Sequence, residues 1–517
     1  MRIATNVSAI VSNNALQKSQ DRLTKSIARL SSGYKINSSS DDAAGYAISE
    51  KMRLQLRGLN QADNNAADGV SVLHTAEGAM EEIQSMLARM KELSVQAANG
   101  TNSVDERSAI QSEIDSLNSE IDRISSNTEF NSQTLISGNL SRRVYSNYEG
   151  VNQIEVSDNF VAGNYGITIT QDARQAIVVG NGAVTMSDTA TVTKEQAGTI
   201  SMNGYGIEIS EGDTLAGIMG KLVDGADKIG GRVFAITAGA TNDTKVNGTD
   251  YAGYEPQTSY AGNNIVFMTK ESGSSKTMNI TCSNAELANM LGIATAATNS
   301  GMYAEGSDVQ AEFTLDNDGK RVGFADSAVI STSGTRVTVK DVNNRTFVTD
   351  VPSNVAGTQF SDTVKADDKS TATSKQTAKV TQEVTDVGTM SVHVGANENQ
   401  VILIDIPAVT SYTLGTENLN VMTSVTASEA IDTIDTAVAY ANRVRSQMGA
   451  YENRFEHTTN NLGTASENLT SAISTMTDTD MAEEMTEYTS LNVMTQAATS
   501  ILAQANERPS TVLQILQ

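Results

Sequence analysis

The stretch that decides the fold runs from residue 48 to residue 90 and reads ISEKMRLQLRGLNQADNNAADGVSVLHTAEGAMEEIQSMLARM. Two rows of apolar or small residues recur through it at seven-residue steps, one from Met52 to Leu87 and one from Ile48 to Met90, and Gln55 is their polar exception. A stripe with a period of about 3.5 residues is typical of the seam of a coiled coil. One helix cannot bury such a seam alone, so the sequence predicts a partner helix.

The partner is predicted near the other end of the chain. The same spacing returns there in Ile434, Ala441, Met448, Phe455, Leu462, Leu469 and Met476. No proline occurs in the first 255 residues, which long uninterrupted helices require. We therefore expect a mainly α rod of paired long N- and C-terminal coiled-coil helices, with an inserted, mostly β (α+β) outer region.

Two further amphipathic helices are predicted at the extreme ends of the chain. The first covers residues 7–30 and is ended by Gly33, and the last covers about 480–506 and is closed by Pro509. Asp41 or Ser40 is expected to cap the long helix that starts near Ala43. The candidate assembly residues on these terminal helices are Leu16, Leu23, Ile27, Leu30, Met485, Leu491, Met494, Ile501 and Leu502.

The middle of the chain has a different pattern. After about residue 139, Gly, Thr, Ser, Asn and Val become frequent, and alternation replaces the helical period. Residues 199–202 and 207–209 flank an Asn203-Gly204 turn, which predicts a hairpin, and a helix is predicted over about 214–228. This region is expected to form one or two mostly β modules.

Composition and charge exclude several classes of function. The chain has 36 basic and 61 acidic residues, for a net charge of −25, so it should repel nucleic acid and anionic membranes. No stretch approaches the ~20 apolar residues that span a bilayer. Cys282 is the single cysteine, which rules out an intramolecular disulfide. The N-terminus lacks the apolar core of a Sec signal peptide, so the protein either stays in the cytosol or leaves without a cleaved signal.

The motifs of common enzymes are missing. The histidines His74, His393 and His457 are scattered, and neither a zinc-protease motif nor a Walker loop occurs. Asp316-Asn317-Asp318-Gly319 lacks the further ligands of a calcium loop and is interpreted as a hairpin turn. We therefore expect no enzyme activity, no catalytic residues, no cofactor and no metal.

Ordered motifs at both ends resemble those of bacterial flagellins. Residues 1–140 and 390–517 carry the resemblance, through LSSGYKIN (30–37), DDAAG (41–45), GLNQA (58–62), TAEGA (75–79), AANGTNS (97–103), NTEFN (127–131), VGANE (394–398), GAYENR (449–454), DTDMAEEM (478–485) and QAN (504–506). Residues 197–295 look like the hook-IN type module of this family.

The resemblance implies a secreted subunit that polymerises into the flagellar filament for motility. Residues 1–43 and 478–517 would form the inner tube and its spoke, residues 44–140 and 395–477 a rod-like helical domain with a β-hairpin edge, and residues 141–394 a variable, solvent-exposed insertion of two β-rich modules. Its implied partners are other copies of itself, a secretion chaperone, the type III export apparatus, and the cap and hook-filament junction proteins. No nucleic acid or membrane partner is expected.

The resemblance also implies an immune-recognition site. The determinant recognised by host toll-like receptor 5 would fall on Arg89, Leu93 and Glu113. Arg89 and Leu93 are four residues apart, hence on one helix face, and neither belongs to the two heptad rows. Packing between subunits would place the same residues at an interface, so both interpretations stay open.

Two other functions remain as alternatives. A hook-associated junction protein would share the terminal helices without building long filaments. An adhesin displayed on the filament would use the insertion as its binding module. The NTEFN and GAYENR motifs favour a filament subunit over the junction protein, and the displayed adhesin stays open.

Overall fold

A computed structural model describes residues 6–157, 160–237, 261–293, 302–316, 318–342, 345–353, 378–385 and 387–515. Within these ranges the helices are α1 (Val7–Ser32), α2 (Ala43–Ala98), α3 (Val104–Asn127), α4 (Leu215–Lys228), α5 (Ala285–Met290), α6 (Ser411–Leu414), α7 (Ser424–Thr477) and α8 (Met481–Ile515). The predicted long helices are confirmed. Asn317 of the predicted hairpin turn lies outside the described residues.

The start of α2 is set by a different residue from those expected. Asp42 accepts hydrogen bonds through Oδ1 from the backbone N–H groups of Ala44 and Gly45, both at 3.0 Å. Asp41 instead closes the preceding loop, because its Oδ2 accepts the backbone N–H groups of Asn37 and Ser38. The prediction that Asp41 or Ser40 caps α2 is therefore wrong. The cap lies one or two positions further along the chain, at Asp42, because Asp41 already accepts hydrogen bonds within the preceding loop.

Other helix ends agree with the sequence, with one exception. Gly33 ends α1 with φ of 76°, a left-handed conformation that suits glycine. Ser103 and Glu106 form the expected capping box at the start of α3. The prediction that Pro509 closes the last helix is wrong, because α8 continues to Ile515. A proline removes one backbone donor and bends a helix, but the flanking hydrogen bonds can carry the helix past it.

The described strands are short, and in the sequence they lie between α3 and α7. They are β1 (Glu129–Phe130), β2 (Gln133–Thr134), β3 (Val144–Ser146), β4 (Asn152–Val156), β5 (Gly163–Gln171), β6 (Gln175–Val179), β7 (Gly198–Met202), β8 (Tyr205–Ile209), β9 (Gly231–Thr237), β10 (Asn263–Ser272), β11 (Thr277–Cys282), β12 (Met302–Glu305), β13 (Gln310–Phe313), β14 (Val329–Ser333), β15 (Arg336–Lys340), β16 (Thr346–Asp350), β17 (Ala378–Val384), β18 (Met390–His393) and β19 (Val401–Ile404).

Antiparallel sheets organise the insertion. Their strand orders are β6-β10-β9, β12-β11-β7-β8, β13-β5-β17-β3 and β14-β15-β16-β4. The predicted β7–β8 hairpin is confirmed, and its turn residues Asn203 and Gly204 have φ of 48° and 87°. Positive φ at both turn positions matches the right-handed twist of the two strands.

The chain divides into two compact units. Unit 1 contains Met1–Val70, Val392–Ile402 and Asn453–Gln517, and unit 2 contains Ser71–Ser391 and Leu403–Glu452. Helices α2 and α7 each contribute one segment to both units. The domain boundaries predicted from the sequence differ from this division and stay predictions.

The described residues of the insertion in unit 2 form two large hydrophobic cores and a small third cluster of Val179, Ile236 and Val266. The first packs α4 and α5 with strands β6 to β11, around fully buried residues such as Phe267, Ile218 and Leu222. The second joins β4, β5, β15, β16 and β17, and Phe347 lies at its centre. The mostly β character expected of the insertion is confirmed, whereas its division into one or two modules stays a prediction.

A buried ion pair joins the second core to α7. Glu155 of β4 is only 6% exposed. Both oxygens of its carboxylate accept hydrogen bonds from the Arg443 guanidinium, Oε1 from Nε at 2.8 Å and Oε2 from Nη2 at 2.6 Å. Burial raises the pKa of Glu155, although the Arg443 charge acts in the opposite direction. Because the two residues are far apart in sequence, their spacing could not predict this contact.

The heptad seam is buried inside unit 2. The α2 residues Leu73, Ala76, Met80, Ile83, Leu87 and Met90 and the α7 residues Ile434, Ala441 and Met448 are all buried. Polar pairs flank this seam: Arg445 Nε lies 3.1 Å from Glu77 Oε1, and Gln84 Nε2 donates to Asn442 Oδ1 at 2.7 Å. These contacts bridge the α2 and α7 segments of the unit, as the shared heptad pattern predicted.

In unit 1 helices α2 and α7 also contact each other. Phe455 and Leu462 of α7 are buried, and a Cβ added to Gly69 of α2 would lie 2.9 Å from Phe455 Cζ. The small residue therefore lets the helices approach closely. Ile48, although a heptad position, is exposed.

Candidate assembly surface

Helices α1 and α8 lie side by side in unit 1 and run in opposite directions. The Asn6 Nδ2 amide donates to Ala505 O at 2.9 Å near one end of the pair. Near the other end, Arg22 Nη2 lies 3.0 Å from Glu487 Oε1. This register makes the two ends of the chain a single structural element.

The connection between the helices is fixed by backbone hydrogen bonds. The N–H of Lys35 donates to Thr477 O at 2.7 Å, and the N–H of Thr479 donates to Gly33 O at 2.9 Å. The Lys35 ammonium adds a bond to Thr475 O at 2.9 Å. The loop after α1 is therefore held against the loop before α8, although 440 residues separate them.

Large apolar side chains cover the outer faces of α1 and α8. Val493 is 60% exposed and Ile501 is 55% exposed. Others with high exposure are Val7, Ile10, Val11, Ile27, Met481, Met485 and Met494. Contiguous apolar patches of this kind mark protein interaction sites in soluble chains. We call the exposed apolar residues of α1 and α8 the assembly surface.

The predicted assembly residues fall into three groups in the single chain. Leu16 and Leu491 are buried in the α1–α8 contact. Leu23, Leu30 and Leu502 are half-buried. Ile27, Met485, Met494 and Ile501 are exposed and belong to the assembly surface. Sequence reasoning missed Val7, Ile10, Val11, Met481 and Val493, which lie at helical spacing beside the residues it selected.

Of the three residues predicted for immune recognition, Arg89 and Glu113 contact each other in unit 2, whereas Leu93 is buried. Arg89 Nη2 lies 2.9 Å from Glu113 Oε1 of α3, and its Nη1 lies 3.2 Å from Glu92 Oε2. The hydrogen bonds that Arg89 donates to Glu113 and, with a smaller effect, to Glu92 raise the pKa of Arg89. Leu93 is only 2% exposed. It lies outside the heptad rows yet is buried within the chain, where α3 also places buried residues such as Ile114.

One of the open clefts in the described part of unit 2 has a volume of about 690 Å³. Charged and polar side chains contribute much of its lining, among them Lys270, Lys276, Arg336 and Glu429. Small-molecule sites are usually enclosed and mostly apolar. No described helix is long and apolar enough to cross a membrane.

Comparisons with known proteins point to one family. The chain matches the family models for the bacterial flagellin N-terminal helical region over residues 3–141 and the bacterial flagellin C-terminal helical region over residues 431–516. It is 32% identical to a flagellin of Clostridium tyrobutyricum, over 96% of this chain and 98% of that protein.

Two further proteins are also similar. A flagellin of Salmonella typhimurium is 30% identical, over 100% of this chain and 99% of that protein. Among solved structures, FliC from Burkholderia pseudomallei aligns with 75% of this chain and 99% of its own, at 15% identity and a TM-score of 0.22. The two sequence relatives cover both the helical ends and the insertion.

Proposed function

Because the chain belongs to the bacterial flagellin family and is a structural subunit of the extracellular flagellar filament, we propose that its subunits join through the assembly surface on α1 and α8. The observation that carries this proposal is the exposure of large apolar side chains along both terminal helices, including Val493 and Ile501. No other described part of the chain presents two whole helices with this character.

The free energy of assembly follows from the same surface. Apolar burial contributes about 25 cal/mol per Å², and fully burying one large aliphatic side chain contributes about 1.5–3 kcal/mol. A neighbouring subunit that covers the assembly surface binds only the folded helices, so assembly and helix stability support each other. We propose that this coupling, rather than contacts of the insertion, drives filament growth.

The domain roles are part of the proposal. Residues 1–43 and 478–517 would line the inside of the filament, residues 44–140 and 395–477 would pack around them, and residues 141–394 would face solvent. The hydrophobic cores that the insertion forms from its own strands and helices support its role as an appended outer region. Assignment of residues 197–295 to a hook-IN type module stays a prediction.

Several partners belong to the proposal as well. A secretion chaperone would cover the apolar face of α8 before export through the type III apparatus. The cap and hook-filament junction proteins would meet the filament at its ends. The exposed Met485, Met494 and Ile501 support the chaperone contact, since an uncovered surface of this kind favours aggregation. A structural role leaves no need for enzyme activity, and we propose none.

Seeded polymerisation followed by electron microscopy tests the assembly surface. The full chain is compared with a variant lacking residues 1–40 and 480–517, and with the point variant Ile27→Asn. Filaments from the full chain, none from the truncated chain and fewer from Ile27→Asn are expected. Val342→Ser is the matched control, because Val342 is an exposed apolar residue of the insertion. Equal loss of filaments in the control would contradict the proposal.

Recognition by toll-like receptor 5 is a second proposed property, favoured by the contact between Arg89 and Glu113. A receptor reporter assay with Arg89→Ala and Glu113→Gln is expected to show reduced signalling. Arg123→Ala is the control, since Arg123 is an exposed arginine of α3 that pairs with Glu120. A response unchanged in both variants would exclude this pair as a determinant.

A further inference from the structure

Three potential metal ligands from two helices lie together on unit 2. His74 and Glu77 come from adjacent turns of α2, and Glu452 comes from the end of the unit 2 segment of α7. One ligand atom from each lies within 4.8 Å of the other two. Within the described ranges, this is the only group of three histidine, cysteine or acidic side chains that meets this condition.

The separation between His74 and Glu452 fits two ligands of one shared ion better than a direct hydrogen bond. His74 Nε2 lies 3.5 Å from Glu452 Oε1. A direct N–H···O bond would bring the atoms to about 2.7–3.2 Å. A tetrahedral zinc ion with ligand bonds of about 2.0–2.2 Å places neighbouring ligand atoms about 3.4 Å apart. The pair is therefore already at the separation that two ligands of one ion require.

The donor set selects a class of metal. An imidazole with two carboxylates suits Zn²⁺ and similar divalent transition ions, whereas Mg²⁺ and Ca²⁺ prefer oxygen ligands alone. His74 is 58% exposed along its side chain, so an ion and a water molecule as fourth ligand can reach the site. Glu77 and Glu452 are half-buried, and a small rotation of the Glu77 side chain would bring its carboxylate to a bonding distance from the ion.

Arg445 positions the second carboxylate. Its Nε lies 3.1 Å from Glu77 Oε1, and its Nη1 donates to Gln84 Oε1 at 2.9 Å. The hydrogen bond from Arg445 Nε engages Oε1 of Glu77 and leaves Oε2 of the same carboxylate to bind a metal. Two carboxylates and one guanidinium give the group a net charge of −1, which still attracts a divalent cation.

We propose that His74, Glu77 and Glu452 bind a Zn²⁺-class divalent ion that joins α2 to α7 in unit 2. The ligands are far apart in sequence, so the unfolded chain does not hold them together. An ion that binds only the folded arrangement stabilises it in proportion to the logarithm of one plus the ratio of its free concentration to its dissociation constant, and so raises the melting temperature. Assembly through α1 and α8 does not depend on this site.

The test titrates the full-length, unassembled chain with Zn²⁺ by calorimetry and with Co²⁺ by visible absorption. The unaltered chain is expected to bind one equivalent and to give the absorption of a tetrahedral Co²⁺ site. His74→Ala and Glu452→Gln should each weaken binding at least tenfold and remove that absorption. Zn²⁺ should raise the melting temperature of the unaltered chain, while Mg²⁺ at the same concentration should not.

His457→Ala is the matched control, because His457 is an exposed histidine of the same helix α7 outside the cluster. It should bind Zn²⁺ like the unaltered chain. Circular dichroism checks that each variant keeps its helices, and the isosteric Glu452→Gln preserves side-chain volume. If His74→Ala binds Zn²⁺ as tightly as the unaltered chain, the ion is held by the acidic surface in general and the proposal is wrong.

Discussion

Two segments of the same helix, α2, meet different surroundings in the two units. In unit 2 the heptad residues Leu73, Met80 and Leu87 are all buried. In unit 1 Ile48 and Leu54 of the same helix are exposed. Among the described residues, unit 1 carries at least as many exposed large hydrophobic residues as unit 2, although it has less than half as many residues. Unit 2 thus leaves a smaller share of its apolar side chains exposed than unit 1, whose exposed side chains include the assembly surface that we propose neighbouring subunits cover.

The largest expected effect is a cavity in the unit 2 core. Phe267 is fully buried in the first core. Phe267→Ala should lower the free energy of unfolding by about 3–5 kcal/mol, through lost burial and an unfilled cavity. Urea unfolding followed by circular dichroism measures it. A loss below about 1 kcal/mol would show that unit 2 does not rely on its own core, and would remove the contrast with unit 1.

The next effect concerns the buried ion pair of unit 2. Arg443→Ala leaves the Glu155 carboxylate buried without its guanidinium and should cost about 2–3 kcal/mol at neutral pH. Because the pKa of Glu155 is already raised by burial, the folded state binds the proton more readily than the unfolded state. The loss should therefore shrink as the pH falls through the folded-state pKa of Glu155 and the carboxyl becomes neutral.

Unfolding measured against pH, with Arg443→Ala beside the double variant that adds Glu155→Gln, checks this prediction. The double variant should recover part of the loss at neutral pH and show less pH dependence. A loss in Arg443→Ala that stays constant from neutral to acidic pH would mean that the Glu155 charge is not its source.

A loop contact of unit 2 should have a smaller effect. Asp308 accepts hydrogen bonds from Ser274 N at 2.7 Å, Ser274 Oγ at 2.7 Å and Gly334 N at 2.8 Å. Burial alone would raise the pKa of Asp308, but these bonds outweigh it and lower the pKa. The stabilisation is thus present above the unfolded value of about 3.9 and lost as pH falls through the lower folded value.

Asp308→Asn should therefore cost about 1–2 kcal/mol at neutral pH, because the amide accepts through only one oxygen. Calorimetric melting measures the loss. The difference from the unaltered chain should begin to narrow as pH falls below about 3.9 and should be smallest below the lower folded-state pKa of Asp308, where its carboxyl is protonated. If the difference in stability between Asp308→Asn and the unaltered chain widened as the pH fell, the Asp308 carboxylate would not be the source of the stabilisation.

In unit 1 an apolar deletion should act on assembly instead of folding. Ile501→Ala removes part of the assembly surface. The unfolding free energy of the single chain should change by less than about 0.5 kcal/mol. The critical concentration for polymerisation should rise about fivefold to tenfold, equivalent to about 1 kcal/mol per subunit. Sedimentation of filaments at graded concentrations measures it, and a stability loss comparable to that of Phe267→Ala would break the comparison.

The smallest effect is at a helix cap of unit 2. Thr214 Oγ1 accepts the backbone N–H of Gly217 at 3.3 Å at the start of α4. Thr214→Ala should lower the free energy of unfolding by about 0.5–1 kcal/mol and leave polymerisation unchanged. Calorimetry and the same sedimentation assay check both parts. Thr214→Ser keeps the acceptor and should restore most of the stability.

The sequence predicts the fold well where the pattern is local. The seven-residue spacing from Leu73 to Leu87, the capping box at Ser103 and the Asn203-Gly204 turn can each be recognised from residues close together in sequence, although burial of the heptad seam also requires α7. The cap of α2 was missed by one position because Asp41 is needed by the preceding loop. The continuation of α8 past Pro509 was missed because a proline weakens a helix without always ending it.

The candidate surface was only partly predictable. Spacing selected Met494 and Ile501, which are exposed, and also Leu16 and Leu491, which are buried in the α1–α8 contact. A helical stripe indicates which face is apolar, but not whether the chain itself or a second subunit covers it. Leu93 illustrates the reverse case, since it lies outside the heptad rows and is nevertheless buried.

By itself the sequence determined the helix periods, the β-rich character of the insertion and the family, because these depend on local spacing and on ordered motifs. Only the tertiary structure decided which apolar residues stay exposed, which opposite charges meet as Arg443 and Glu155 do, and that His74, Glu77 and Glu452 share one surface. Those outcomes require side chains from distant parts of the chain to be brought within a few ångströms, and no sequence spacing encodes that distance.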